Sequence, residues 1–399
     1  MKTIGIIREG KIPTDLRSPL SPSQCVELKT NFPGTNVIVQ PSSNRCFTNE
    51  EFSNLGIELN EDLSNCDIIL GVKEVPIEDL IANKTYLFFS HTIKKQPHNR
   101  NLLRAVLKNK ITLIDYETLV WEAGNRIIGF GRFAGLVGAH YAFLMWGKKY
   151  GFYTLKPASK CKNLEEMIGQ YKDLQLSPMK IVLCGDGRVA HGCLELLRKL
   201  KISQVSQEEF IENDYNKPVY VHLRSEDYYI RKDGKEWDKA DFYKHPEDYI
   251  SNFKPYYQRA DIMLNGIFWK QGIPTFFTNE EMKSSNFRIK IISDITCDIP
   301  GPIPSTIKST SIENPFYGYN AFLENEVEPF LPNSIDVQAV GNLPCELPID
   351  ASTEFGEQLI RHILPYILID DKEDIIKNAT ITVNGALTKK YEYLKDYIA

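Results

Sequence analysis

Lys180–Leu200 reads KIVLCGDGRVAHGCLELLRKL, and this stretch decides the fold. Lys180–Cys184 is a strand-like apolar run, and His191–Leu200 is helical. Between them Gly185-Asp186-Gly187-Arg188-Val189-Ala190 fits G-x-G-x-x-G/A with the flanks such a turn requires. Gly185 allows the tight turn, Gly187 lets the backbone approach a pyrophosphate, and Ala190 lets helix and strand pack closely. Amide N–H groups at the helix start then hold phosphate. The expectation is a Rossmann-type dinucleotide-binding domain. Its fingerprint starts at residue 185, not near residue 10, so another domain precedes it.

Upstream, strand-like runs alternate with helical patterns. Thr3–Ile7, Asn36–Gln40, Cys66–Val72, Tyr86–Phe89 and Ile111–Ile114 read as strands; Ser21–Thr30, Asn49–Leu55 and Asn99–Asn109 read as helices. Such alternation predicts an α/β domain with a mainly parallel sheet. GFGRFAGLVGAHYAFLMWGKKYG, 129–151, reads as an inter-domain helix whose small residues permit close packing. Downstream, Arg224–Tyr257 is charged and Tyr-rich, and its composition suggests an insertion over the sheet, not a core element. Ile262–Leu264 and Ile289–Ser293 resume the strands, and Ala351–Tyr366 reads as a helix returning to the first domain. The expected architecture is two Rossmann-like domains with an inter-domain cleft: 1–130 plus 325–399 for substrate, and 131–324 for NAD(P).

The 399 residues, 42% hydrophobic and 25% charged, suit two ordinary domains. A net charge of -5 with dispersed Lys and Arg argues against a nucleic-acid partner. The eight cysteines form no C-x-x-C pair and have no His partner at metal spacing, so no metal site is expected. MKTIGIIREGK has no long apolar core of a signal peptide, and no apolar run reaches membrane-spanning length. The cytoplasm is the expected compartment. No pattern signals an oligomeric state.

For the cofactor, an acid about 20 residues beyond the glycine turn would grip the ribose 2′-hydroxyl of NAD. The expected second strand, near Ile202–Ser206, instead offers Ser206 and Gln207 before Glu208 and Glu209. A small polar Ser206 leaves room for a 2′-phosphate, with Arg188 as its partner, so the reading leans to NADP(H) over NAD(H).

Three expected strands end in ionisable groups: LGVKEVP carries Lys73 and Glu74, FFSHT carries His91, and LIDYE carries Glu117. Ligands in open parallel sheets lie beyond the carboxyl ends of strands, so these residues can converge. Taken singly, Lys73 reads as a solvated lysine, His91 as a hydrogen-bonded structural residue, Arg17 as a surface charge and Asp294 as a loop cap.

The motifs DLRSPLSP, GVKEVP, KTYLFFSHTIK, LIDYE and RIIGFGRFAG resemble the alanine dehydrogenase and lysine-forming saccharopine dehydrogenase superfamily. KHPEDYISNF, LNGIFW, TSIENPFYGY, GNLPCELPIDASTEFG and VNGALTKKYEYL extend the likeness nearly end to end, most closely to the lysine-ketoglutarate reductase domain of bifunctional aminoadipic semialdehyde synthase. The resemblance implies reductive condensation of lysine with 2-oxoglutarate to saccharopine, or its reverse, with NAD(P). It implies Lys73 and His91 as the acid/base pair, and Arg17, Glu74, Gln96, Glu117, Arg126 and Phe130 as substrate-site residues. It also implies cofactor contacts from Asn265, Gly266, Ser293, Asp294, Ile295 and Thr296 beside the glycine turn. Glu74 follows the single-function fungal pattern, whereas the rest looks closer to the bifunctional enzyme. The alternatives are an alanine-dehydrogenase-like enzyme on another amino acid and a regulatory nicotinamide-binding protein without turnover.

Overall fold

The first strand, β1 (Lys2–Ile6), places Ile4 and Ile6 on one face of a sheet, with Ile7 just beyond its end on the other. The computed structural model describes residues 2–399. The chain divides into two compact units, Met1–Phe130 with Pro348–Ala399, and Gly131–Leu347.

The first unit is built on an eight-stranded sheet. After β1 come β2 (Thr35–Val39), β3 (Glu58–Leu59), β4 (Ile68–Leu70), β5 (Thr85–Phe88) and β6 (Thr112–Asp115). They run parallel in the order β3–β2–β1–β4–β5–β6. Thr380–Val383 joins β6 antiparallel, and Ala386–Leu387 closes that edge. The strands are short and apolar because both faces are covered. Ile6, Leu70 and Leu87 meet Cys25, Leu28, Phe355 and Leu359 on one side; Ile69, Tyr86 and Phe88 meet Leu102, Val106 and Tyr397 on the other. The order reverses direction between β1 and β4, the switch point at which such sheets open a crevice.

The second unit holds another eight-stranded sheet. Its strands are β7 (Lys180–Cys184), β8 (Ser203–Gln204), β9 (Val219–Leu223), β12 (Ile262–Asn265), β13 (Ile291–Asp294), β14 (Phe316–Asn320), β15 (Asn325–Val327) and β16 (Ile335–Gln338); β10 (Tyr229–Arg231) and β11 (Tyr249–Ser251) form a separate ribbon. The order is β15–β14–β16–β13–β12–β7–β9–β8, with β14 and β15 antiparallel to their neighbours. All five residues of β7 are buried, as its central place requires.

Helix α1 (Gly131–Tyr150) packs on α2 (Arg188–Lys199), both within this unit. A Cβ on Gly135 would sit 2.9 Å from the Gly192 Cα and collide with the Val189 carbonyl. The small residues of 131–139 therefore serve a backbone-to-backbone contact with the helix after the glycine turn. They do not make α1 a linker.

Two further expectations need correction. The return to the first unit comes at Pro348, not 325, because β15 and β16 pair in the second sheet. The segment 224–257 is not a loose cover. Tyr228, Tyr229, Phe242, Tyr249, Phe253, Tyr256 and Tyr257 are buried in one core with Val182 and Cys184 of β7. Aromatic rings offset the segment's charge and give it its own packing. No described helix is long and apolar enough to cross a membrane.

Candidate active site

In the first unit, four neighbouring strands deliver polar groups beyond their carboxyl ends. After β1 comes Glu9, whose carboxylate accepts the Val72 amide at 2.6 Å and the Lys73 amide at 2.8 Å. Glu9 thereby fixes the main chain just past β4. Burial pushes its carboxyl up to about 7; nearby Asp15 adds to the rise, and the two amides oppose it.

Lys73 is drawn down to about 8, first by burial and then by the Arg17 guanidinium. It is not the solvated lysine that its sequence alone suggests. Arg17 is no surface charge either. It is 2% exposed, donates from Nε and Nη2 to Asp15 at 2.9 and 2.6 Å, and lies 4.1 Å over the Phe130 ring. Phe130 in turn stacks on Phe355 with centroids 4.5 Å apart. Phe130 is thus a platform for the cation.

His91 follows β5 with φ 52° and ψ 14°, a left-handed conformation that costs an ordinary residue about 1–2 kcal/mol. Its Nδ1 is 3.0 Å from Glu117 Oε2, and its Nε2 is 3.9 Å from Glu74 Oε1. Lys11 donates to Glu74 at 2.7 Å. Burial alone would raise the Glu74 carboxyl, but the Lys11 hydrogen bond and the nearby charges bring it below its ordinary value.

Glu117 follows β6. Burial opposes its ionisation, yet His91, Lys94 and Arg126 outweigh burial and hold it at about 2. Lys94 Nζ and Arg126 Nη2 approach Glu117 Oε1 at 3.1 and 3.2 Å. Buried Asp115 accepts the Glu117 amide at 2.7 Å and the Ser90 amide at 3.1 Å, so one carboxylate braces the ends of β5 and β6. Glu74, His91, Glu117 and Arg126 therefore come together, and Lys73, with Arg17 beside it, sits on the adjoining strand end. Gln96 does not join them. It is exposed on the next turn, where its backbone carbonyl accepts the Tyr397 hydroxyl.

Glu9, Lys11, Asp15, Lys94 and Asp115 escaped the sequence reading. REGK looks like a solvated charge run, and nothing in its spacing reveals two amides waiting for a carboxylate. Asp115 gave a usable signal: an acid ending an apolar strand two residues before Glu117.

In the second unit, Gly185 has φ +116°, and a Cβ there would meet the Gly266 carbonyl oxygen at 2.6 Å, so both position and conformation demand glycine. Gly187 caps the 12-residue α2 and has open space where a side chain would stand. First-turn amides lack intrahelical acceptors, and the helix dipole favours an anion there. Ala190 is fully buried. The turn therefore fits a pyrophosphate.

Asn265 ends β12 beside this turn, and the Gly266 amide that follows donates to the Cys184 carbonyl at 2.9 Å. Asn265 donates to Asp294 at 2.8 Å, and the Ile295 amide returns to the Asn265 carbonyl at 3.0 Å. Asp294 is wholly buried and also accepts the Thr306 hydroxyl at 2.7 Å and the Cys297 amide at 3.2 Å. Ser293 spends its hydroxyl on Gly138 and Gln338. Thr296 donates to Ile267 at 3.0 Å. Ser293 and Asp294 are braces under the strand ends, the loop-cap reading for Asp294, and their side chains are not turned out toward a ligand.

The structure also corrects the reading of Ser206. It follows β8, which is the sheet's edge strand and not the neighbour of β7. Its hydroxyl accepts the Glu209 amide while the Glu209 carboxylate accepts the Ser206 amide. Ser-x-x-Glu is the capping-box signature, visible in the sequence. Among the described residues, no group of three His, Cys, Asp or Glu is arranged to hold a metal ion.

Residues 5–137 match the alanine dehydrogenase/PNT N-terminal domain. Alpha-aminoadipic semialdehyde synthase, mitochondrial, of Mus musculus is 31% identical over 439 residues, covering 97% of this chain and 47% of that protein. The Arabidopsis thaliana alpha-aminoadipic semialdehyde synthase is 30% identical, covering 98% and 41%. The chain thus spans about half the length of these relatives. Saccharopine dehydrogenase (NAD(+), L-lysine-forming) of Emericella nidulans is 26% identical, covering 90% of each chain. A solved L-alanine dehydrogenase shares the fold, with a TM-score of 0.67, 13% identity and full coverage of both chains.

Proposed function

We propose, from the premise that this chain belongs to the superfamily of the lysine-forming saccharopine dehydrogenases and alanine dehydrogenases, that it is an NAD(P)-dependent oxidoreductase joining L-lysine and 2-oxoglutarate to saccharopine, or running the reverse. The observation that carries this reading is Lys73, held near pH 8 on the strand end next to that of His91. The first unit serves the substrates and the second binds the dinucleotide. Amine and ketone must exchange several protons before an imine exists to be reduced, so two groups titrating near neutrality are needed.

In the condensation, neutral Lys73 takes the proton that the substrate ammonium must lose. His91, oriented by Glu117, gives a proton to the departing hydroxyl of the carbinolamine, and water leaves as the imine forms. A nicotinamide held by the second unit would supply the hydride that reduces the imine. Arg17 keeps the Lys73 ammonium unfavourable, and Phe130 holds Arg17 in place. Arg17 and Arg126 are the arginines proposed to meet substrate carboxylates. Both carry protein carboxylates, Asp15 and Glu117, which a substrate must compete with. Asn265, Gly266 and Thr296 are the proposed contacts for the nicotinamide side of the cofactor. The cofactor preference is proposed as NADP(H). A cytoplasmic location completes the proposal, supported by eight cysteines none of which is in a disulfide.

The test follows nicotinamide absorbance with lysine plus 2-oxoglutarate and, separately, with ammonia plus pyruvate. Turnover with the first pair alone is expected. Turnover only with the second would move the chain to the alanine-dehydrogenase reading.

A further inference from the structure

In a βαβ dinucleotide fold, the strand beside the first strand ends at the adenosine ribose, and the residue there reads the 2′ position. The strand beside β7 is β9, with Cys184 level with Leu223. Two bonds tie this strand end to the glycine turn: the Gly185 amide donates to the Leu223 carbonyl at 2.9 Å, and His222 Nε2 lies 2.6 Å from the Gly185 carbonyl. The next residue is Arg224. Its side chain is 57% exposed, and its Nε stands 3.4 Å from Asp186 Oδ2 in the turn itself.

Two of the acids near this strand end are held by the protein's own groups. Glu208 and Glu209 lie in the first turn of the helix Gln207–Glu212 that follows β8, the edge strand, and Glu209 is held in the Ser206 cap. Asp227 accepts the Arg224 amide at 2.6 Å and the Gln207 side-chain amide at 2.7 Å. Glu226 lies in the first turn of Ser225–Tyr228.

We infer that Arg224 is the specificity-determining residue that binds the 2′-phosphate of NADP(H), with Asp186 holding its guanidinium over the turn until the phosphate arrives. An acid at this position would chelate the ribose hydroxyls of NAD and repel a phosphate. A guanidinium does the opposite, because its planar fork matches phosphate oxygens. The inference rests on the second unit's being the dinucleotide domain. It puts Arg224 in place of Ser206 at the ribose position and in place of Arg188 as the phosphate's partner, a residue that no sequence spacing pointed to.

The experiment measures dissociation constants of NADPH and NADH on the full chain by fluorescence quenching, with 2′,5′-ADP and 5′-AMP as competitors. The wild type is expected to bind NADPH tighter than NADH, and 2′,5′-ADP tighter than 5′-AMP. Arg224→Ala is expected to weaken NADPH and 2′,5′-ADP roughly 10- to 100-fold, the range of a charged hydrogen-bonded pair, while NADH changes less than about twofold. Arg224→Lys, which keeps the charge but not the fork, should fall between. Tighter binding of NADH by the wild type, or an Arg224→Ala ratio equal to the wild type's, would overturn the role of Arg224 and leave the dinucleotide domain standing. Failure of the wild type to bind either dinucleotide would overturn both.

Discussion

Replacing Glu9 with alanine removes the acceptor of two main-chain amides, those of Val72 and Lys73, at 2.6 and 2.8 Å. An amide left without a partner costs about 1–3 kcal/mol, and the low end applies where water can reach it, so Glu9→Ala should lose about 2 kcal/mol of stability. The functional loss should be larger. Lys73 sits on the peptide that Glu9 clamps, and a shift of about 1 Å in a reacting group can cost on the order of 100-fold in rate. Glu9→Gln keeps one acceptor oxygen and should lose about half as much stability, with an intermediate rate. Urea unfolding gives the first number; kcat for lysine plus 2-oxoglutarate gives the second. Dinucleotide affinity should not move in either variant, because the clamp lies wholly in the first unit. Glu9→Ala with wild-type unfolding and wild-type kcat would refute the clamp.

Three other outcomes follow from the same geometry. Arg17→Gln removes the cation that, after burial, most disfavours the Lys73 ammonium, so the step near pH 8 in the rate profile should move to higher pH, and KM for the carboxylate substrates should rise. Glu117 is held at about 2 against an ordinary 4.5, so its ionised form stabilises the fold above that ordinary value and the contribution is lost as pH falls through about 2; the melting-temperature gap between wild type and Glu117→Gln should therefore be steady near neutrality and close under acid. Gly192→Val places side-chain atoms on the Arg132 carbonyl, so thermal unfolding should show a loss of about 1–3 kcal/mol or more, together with weaker dinucleotide binding as α2 is pushed off α1.

Much of the fold is legible in the sequence because its signals are local. The strands ending at Leu70, Phe88 and Asp115 are short apolar runs, and GDGRVA sits between a strand and a helix as the chemistry requires. The pairing of His91 with Glu117, and the place of Lys73 on the neighbouring strand end, follow from one rule about strand ends. What escaped is set by tertiary pairing. A two-residue strand, β8, takes the sheet edge and lets β9 slip in beside β7, and no periodicity announces that exchange. The same exchange puts Arg224, and not Ser206, at the strand end beside the glycine turn, the position proposed for the ribose. The buried aromatic core of 224–257 was masked by charges that lie between its rings in sequence but outside them in space. Gln96 failed for a plainer reason: the left-handed residue Lys95 turns the chain before it and leaves it exposed.

The most direct test compares the pH dependence of saccharopine oxidation in the wild type and in Lys73→Met. The wild-type rate should rise with pH through a step near 8, as Lys73 becomes free to accept a proton. In Lys73→Met that step should vanish and kcat should drop by about 10²–10⁴-fold, with dinucleotide affinity unchanged. A variant that keeps both the step and the full rate would contradict the role given to this lysine.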